Sequence, residues 1–116
     1  MNVEAYPAYN VDKDFHPKKN GWVGYVIEID GVRVYHSGDT DVIPEMAQVK
    51  ANVALLPVGG TYTMTVDQAG DAASTLQTDF VVPMHCGDIV GTFEDRKKFE
   101  TVSKKPVIIL DPVAGV

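Results

Sequence analysis

Asp39 and His85 are the residues of this sequence best placed to do chemistry. The stretch Val34-Tyr35-His36-Ser37-Gly38-Asp39-Thr40-Asp41 runs from a β-branched and aromatic strand into a glycine, an aspartate, a threonine and a second acid. Glycine lets the backbone turn sharply, which thrusts the Asp39 carboxylate out at the strand's carboxyl end. Phe80-Val81-Val82-Pro83-Met84-His85-Cys86-Gly87-Asp88 repeats the layout, with a short apolar strand delivering His85. The carboxyl rim of an open sheet is where sites gather. A carboxylate oxygen and an imidazole nitrogen on neighbouring strand ends are two legs of a metal site. The same residues admit a plainer reading, in which Asp39 caps the helix that follows and His85 is a hydrogen-bonded rim histidine.

The elements that must position this pair are legible in order. Val3 to Ala8 reads as a short strand, placed near an edge or end by Pro7. Asn10 to Asn20 is polar, contains Pro17 and reads as a loop. Trp22 to Ile29 is rich in strand formers, Asp30-Gly31 is a two-residue hairpin signal, and Val32 to Ser37 returns. That turn sets a register with Ile29 facing Val32, Ile27 facing Val34 and Tyr25 facing His36. Glu28 then lies opposite Arg33, a cross-strand ion pair.

Asp41 to Val49 predicts a short helix with Pro44 in its first turn. Val53 to Val58 is a continuous apolar run, as for a strand buried on both faces. Gly59-Gly60-Thr61-Tyr62 makes a loop at its carboxyl end. Thr65 to Gln77 predicts a helix, with Thr65 and Gln68 in a capping-box pattern and Val66, Ala69, Ala72, Ala73 and Leu76 on one apolar stripe. Phe80 to Met84 is the strand before His85, Thr92 to Ser103 a last helix with Phe93, Phe99 and Val102 as buried positions, and Val107 to Leu110 a final buried strand. The pattern is mixed α/β: one sheet, with helices mainly on one face.

The whole chain sets bounds on function. Its 116 residues make a single domain, residues 1–116. A hydrophobic content of 45% with 22% charged residues suits a soluble globular fold. A net charge of −6 argues against nucleic acid and anionic membranes as partners. No apolar run is long enough to span a bilayer, and the first ten residues lack the basic and apolar regions of a signal peptide. The single cysteine, Cys86, rules out an intrachain disulfide and points to a reducing, cytoplasmic setting. Beside His85 it is either a soft metal ligand or a small buried residue. His36, across from Tyr25, reads as a core residue or one lying behind the ligands.

Three ordered motifs carry a resemblance: Tyr35-His36-Ser37-Gly38-Asp39-Thr40, Leu55-Leu56-Pro57-Val58-Gly59-Gly60-Thr61-Tyr62-Thr63-Met64-Thr65 and Pro83-Met84-His85-Cys86-Gly87. Together they resemble the metallo-β-lactamase fold, specifically its carboxyl-terminal half, and the metal-dependent hydrolases of its UlaG-like branch. The resemblance covers roughly Val3 to Phe99. It implies half of an αββα sandwich, one mixed sheet with helices on one face. It also implies that Asp39 bridges two divalent metals (zinc or manganese), that His85 binds one of them, and that the chemistry is metal-assisted hydrolysis. Thr61 and Tyr62, at the same rim, would contact substrate or donate to a developing oxyanion.

The departures are as definite as the matches. The main ligand motif of that family, His-x-His-x-Asp-His, is absent, since the histidines are His16, His36 and His85. Where the family often has a ligand histidine after Pro-Ala-aromatic, Pro7-Ala8-Tyr9 leads to Asn10, a weak neutral oxygen donor. His16 in the following loop is the other candidate for that leg, or an exposed loop residue. A lone half of the fold would leave one sheet face bare, an apolar patch not expected on a soluble monomer. The sequence therefore predicts a homodimer, a separate chain that supplies the amino-terminal half, or a fragment of a longer gene product. It also predicts low metal occupancy in the chain alone. The alternative is a non-catalytic dimerising or binding module that keeps the fold without the chemistry.

Overall fold

The computed structural model describes residues 1–11, 17–59, 63–84 and 93–110, with the backbone only at 93 and 96. Five strands form one sheet in sequence order: β1 (Asn2–Pro7), β2 (Val23–Ile29), β3 (Val32–His36), β4 (Lys50–Pro57) and β5 (Gln77–Met84). β1, β2 and β3 pair antiparallel, while β3, β4 and β5 pair parallel. β1 therefore runs the same way as β3, β4 and β5, and all four end at one rim. Two helices, α1 (Val66–Thr75) and α2 (Phe93–Val102), join the sheet. No helix among the described residues is long and apolar enough to cross a membrane.

The hairpin has the expected register: Ile29 faces Val32, Ile27 faces Val34 and Tyr25 faces His36. Asp30 and Gly31 both take positive φ, 52° and 80°, as a turn matching the strand twist requires. Arg33 bonds Glu28 at 3.1 Å as the register implies, and reaches across to Glu4 of β1 at 2.8 Å. That hydrogen bond from Arg33 holds the Glu4 carboxyl below its usual range. A folded value below the unfolded one gives stability that is present above the ordinary carboxylate range and lost as pH falls through the lowered value. Glu4→Gln is expected to lower the melting temperature slightly at neutral pH, a gap that closes in acid; an unchanged gap in acid melts would contradict this.

The main core cluster lies on one face of the sheet. Val26, Tyr35, Ala54 and Val81 form a continuous buried row across β2 to β5. The row packs with Ile43, Met46, Leu56, Met64 and Phe99, and with the small residues Ala69, Ala72 and Ala73 of α1. The capping box at Thr65 forms as its sequence signature requires: the Thr65 hydroxyl accepts from Gln68 N, and Gln68 Oε1 accepts from Thr65 N. α1 lies so close to α2 that a Cβ on Gly70 would sit 3.3 Å from Val102 Cγ2.

The opposite face is covered only in part among the described residues: Val3, Tyr25, Ile29, Val32 and Phe80 are all more than two-fifths exposed there, while Val82 is buried. Three expectations change. β4 is not buried on both faces, because Val53 and Leu55 alternate half-exposed with the buried Ala54 and Leu56. His36 is exposed and outside the core, and its Nδ1 accepts from Gly38 N at 3.2 Å. The segment 41–49 forms the expected short helix with Pro44 in its first turn, a 3-10 helix, Pro44–Gln48, that suits the burial of Ile43, Met46 and Val49 at a spacing of three. The last expected strand is a single parallel bridge, Val107 to Val81. Val81 N donates to Pro106 O and Ile108 N to Val81 O, both at 2.9 Å. The next donor along β5 would be residue 83, which is proline and has no N–H.

Candidate functional site

The rim where β1, β3, β4 and β5 end is shaped by a close crossing of backbone. A Cβ on Gly24 would lie 2.6 Å from both His36 O and Ser37 O. The end of β3 thus presses directly onto β2, with room for glycine alone. Ser37, fully buried, continues the sheet by donating its N–H to Leu55 O at 3.2 Å. Gly38 then takes φ 68°, a conformation open to glycine at little cost, and turns the chain off the sheet. Asp39 follows at the rim, half-buried.

The next two residues look inward. Thr40 is fully buried and Asp41 is 5% exposed. Both bind the segment leaving β1. Tyr9 N donates to Thr40 Oγ1 at 3.1 Å, Asp41 N to Tyr9 O at 2.9 Å, and Val11 N to Asp41 Oδ2 at 2.9 Å. The Tyr9 hydroxyl also donates to Glu45 Oε1 at 2.8 Å, and Lys18 Nζ sits 5.1 Å above the Tyr9 ring. Burial, reinforced by Glu45, pushes the Tyr9 phenol upward, as burial does the Tyr35 phenol. Asn10, flanked by these tethered residues and 6% exposed, is thereby held beside the Asp39 turn.

Of the residues singled out in the sequence, the structure brings Asp39 and Asn10 to one rim. β5 reaches the same rim at Met84, whose carbonyl accepts from Val58 N at 3.0 Å. His16, Thr61, Tyr62, His85 and Cys86 lie outside the described residues, and with them the separation expected between Asp39 and His85. Among the described residues no three His, Cys, Asp or Glu side chains gather as a metal cluster. They offer a rim carboxylate and a buried amide. Such hard oxygen donors fit a divalent metal in kind, but do not fill its coordination sphere. The tether from Thr40 and Asp41 was not anticipated. Its one sequence signal is a threonine and an acid following a turn glycine, side chains able to accept from backbone N–H groups.

Comparison with known proteins agrees with this fold. A family model described as a Beta-lactamase superfamily domain matches residues 1–85. A UPF0173 metal-dependent hydrolase of Thermococcus onnurineus is 37% identical over 119 residues, covering 97% of this chain and 53% of the relative. A solved structure of a candidate metal-dependent hydrolase from Parabacteroides distasonis superposes with a TM-score of 0.78 at 40% identity, covering 92% of this chain and 49% of that one. A metallo hydrolase from Ignicoccus hospitalis gives a TM-score of 0.74 at 33% identity, covering 95% and 49% respectively. The chain thus spans about half the length of the relatives it matches. The matched region holds β1 to β5 and the Asp39 turn, and by it the chain belongs to the beta-lactamase superfamily.

Proposed function

We propose that this chain forms one wall of a divalent metal centre in a metal-dependent hydrolase of the UlaG-like branch, as the carboxyl-terminal half of the fold. The observation that carries the reading is the Asp39 turn. It stands at the rim shared by four strand ends, with Asn10 clamped beside it. In this reading Asp39 is the main ligand and His85 the second, with Asn10 or His16 as further donors and Thr61 and Tyr62 toward substrate. Zinc or manganese would supply Lewis acidity toward water and toward the scissile carbonyl or phosphoryl group. The chain's own task is to hold the donors and to keep the rim shaped by the Gly24 crossing.

The partly covered sheet face completes the proposal. Val3, Tyr25, Ile29, Val32 and Phe80 would be covered by a second sheet, from another copy of the chain or from a separate chain carrying the remaining half of the fold. A stable interface of this kind buries more than about 1,000 Å² in total. Light scattering at micromolar concentration is expected to report a dimer or larger species, and Phe80→Ser to dissociate it while leaving the core intact. A monodisperse monomer would rule out the second copy as the cover. Hydrolysis by the chain alone is expected to be negligible and to appear on adding a polypeptide that carries the other half of a relative; no gain in any such mixture would contradict the shared site. The lack of a His-x-His-x-Asp-His motif among His16, His36 and His85 leaves a second reading, a dimerising module without chemistry. That reading predicts association with no metal binding.

A further inference from the structure

Thr40 and Asp41 are buried, and they make the contacts that place the residues on either side of Asn10. We propose that they are positioning residues, which fix the 9–11 segment, and Asn10 with it, against the Asp39 rim. The inference rests on the metal reading above for its functional meaning, and on geometry for the clamp itself. Four hydrogen bonds join two segments about thirty residues apart: Tyr9 N to Thr40 Oγ1, Thr40 Oγ1 to Tyr9 O, Asp41 N to Tyr9 O, and Val11 N to Asp41 Oδ2. Three of them depend on the side chains of residues 40 and 41. Those side chains are buried, so water competes poorly for the same donors. Asn10 lies between the two tethered amides and has few ways to leave the rim while both hold.

Asp41 acts here through an oxygen that accepts from a backbone N–H, a role an asparagine carbonyl can also fill. A metal ligand acting through its charge has no such substitute. Asp41→Asn should therefore keep the clamp, Asp41→Ala should break it, and Thr40→Val, nearly the same shape without the hydroxyl, should weaken it.

The test uses the full chain, observed by amide NMR. Hydrogen exchange at Tyr9 and Val11 is expected to be slow in the unmodified chain and in Asp41→Asn, and at least about tenfold faster at Val11 in Asp41→Ala. Tyr9 should respond in the same way to Thr40→Val, with Thr40→Ser restoring protection. Added manganese should broaden signals of residues 9–11 and 38–40 together in the unmodified chain. In Asp41→Ala it should broaden 38–40 alone. Exchange at Val11 unmoved by Asp41→Ala would overturn the clamp. Loss of manganese broadening at 38–40 in Asp41→Asn would show that Asp41 acts as a charged ligand, against the proposal. Manganese that broadens neither segment of the unmodified chain, even when it is mixed with a polypeptide carrying the other half of a relative, sinks the metal reading and any metal role for the clamp, while the exchange rates still judge the clamp as structure. If Asp41→Ala does not fold, the Thr40 pair carries the same comparison.

Discussion

Replacing Gly24 by alanine is expected to destabilise the chain by about 3 kcal/mol or more, at the upper end of what overpacking costs. The added methyl would stand 2.6 Å from two carbonyl oxygens, those of His36 and Ser37. Backbone cannot rotate aside as the tip of a side chain can, so the end of β3 must shift outward. The shift strains the Ser37 N to Leu55 O bond at 3.2 Å, and it moves the turn that carries Asp39. The effect should appear twice: in the denaturation midpoint, and in weaker manganese binding at the rim under conditions where the variant is still folded. Gly70→Ala is the natural comparison. Its nearest neighbour is the side-chain atom Val102 Cγ2 at 3.3 Å, so its cost should be clearly smaller. Equal stability of Gly24→Ala and the unmodified chain would show that the crossing is looser than described.

Asp39→Ala is expected to weaken divalent metal binding by well over tenfold while leaving the fold in place. Lost partners behind the ligands already cost ten- to a hundredfold in typical metal sites, and a lost ligand costs more. Asp39 is half-buried at the rim and outside the hydrophobic core, so its removal opens no core cavity. Asp39→Asn should be nearly as damaging, because a neutral amide is a poor substitute where the metal's charge must be balanced. This contrasts with Asp41, where asparagine should serve. Titration with manganese, read beside a thermal melt, separates the two acids. Similar affinities for Asp39→Ala and the unmodified chain would remove Asp39 from the site.

Local signals in the sequence translated well into structure. The Asp30-Gly31 turn set a register that holds at all four pairs inferred from it, since a two-residue loop leaves no freedom to slip. The Thr65 and Gln68 pair marked the start of α1 for the same reason, a reciprocal bond between near neighbours. What failed depended on partners far along the chain. VALLPV reads as buried on both faces, but Val53 and Leu55, on one of those faces, stay partly exposed. Val107 to Leu110 reads as a strand, but Pro83 on the neighbouring β5 withholds the donor that would extend the ladder. At the site, the Asp39 turn was visible because glycine and acid sit together. The clamp from residues 40 and 41 to residues 9 and 11 was not, because no periodicity or motif links positions thirty apart.

The central claim is that this chain carries one wall of a metal centre that a second half must complete. Metal analysis after exhaustive dialysis tests it most directly, with the chain alone and with the chain mixed with a polypeptide carrying the other half of a UPF0173 relative. The account predicts far less than stoichiometric zinc or manganese on the chain alone, and stoichiometric metal in the mixture that is lost in Asp39→Ala. Tight stoichiometric metal on the chain alone, or metal in the mixture indifferent to Asp39→Ala, would contradict it.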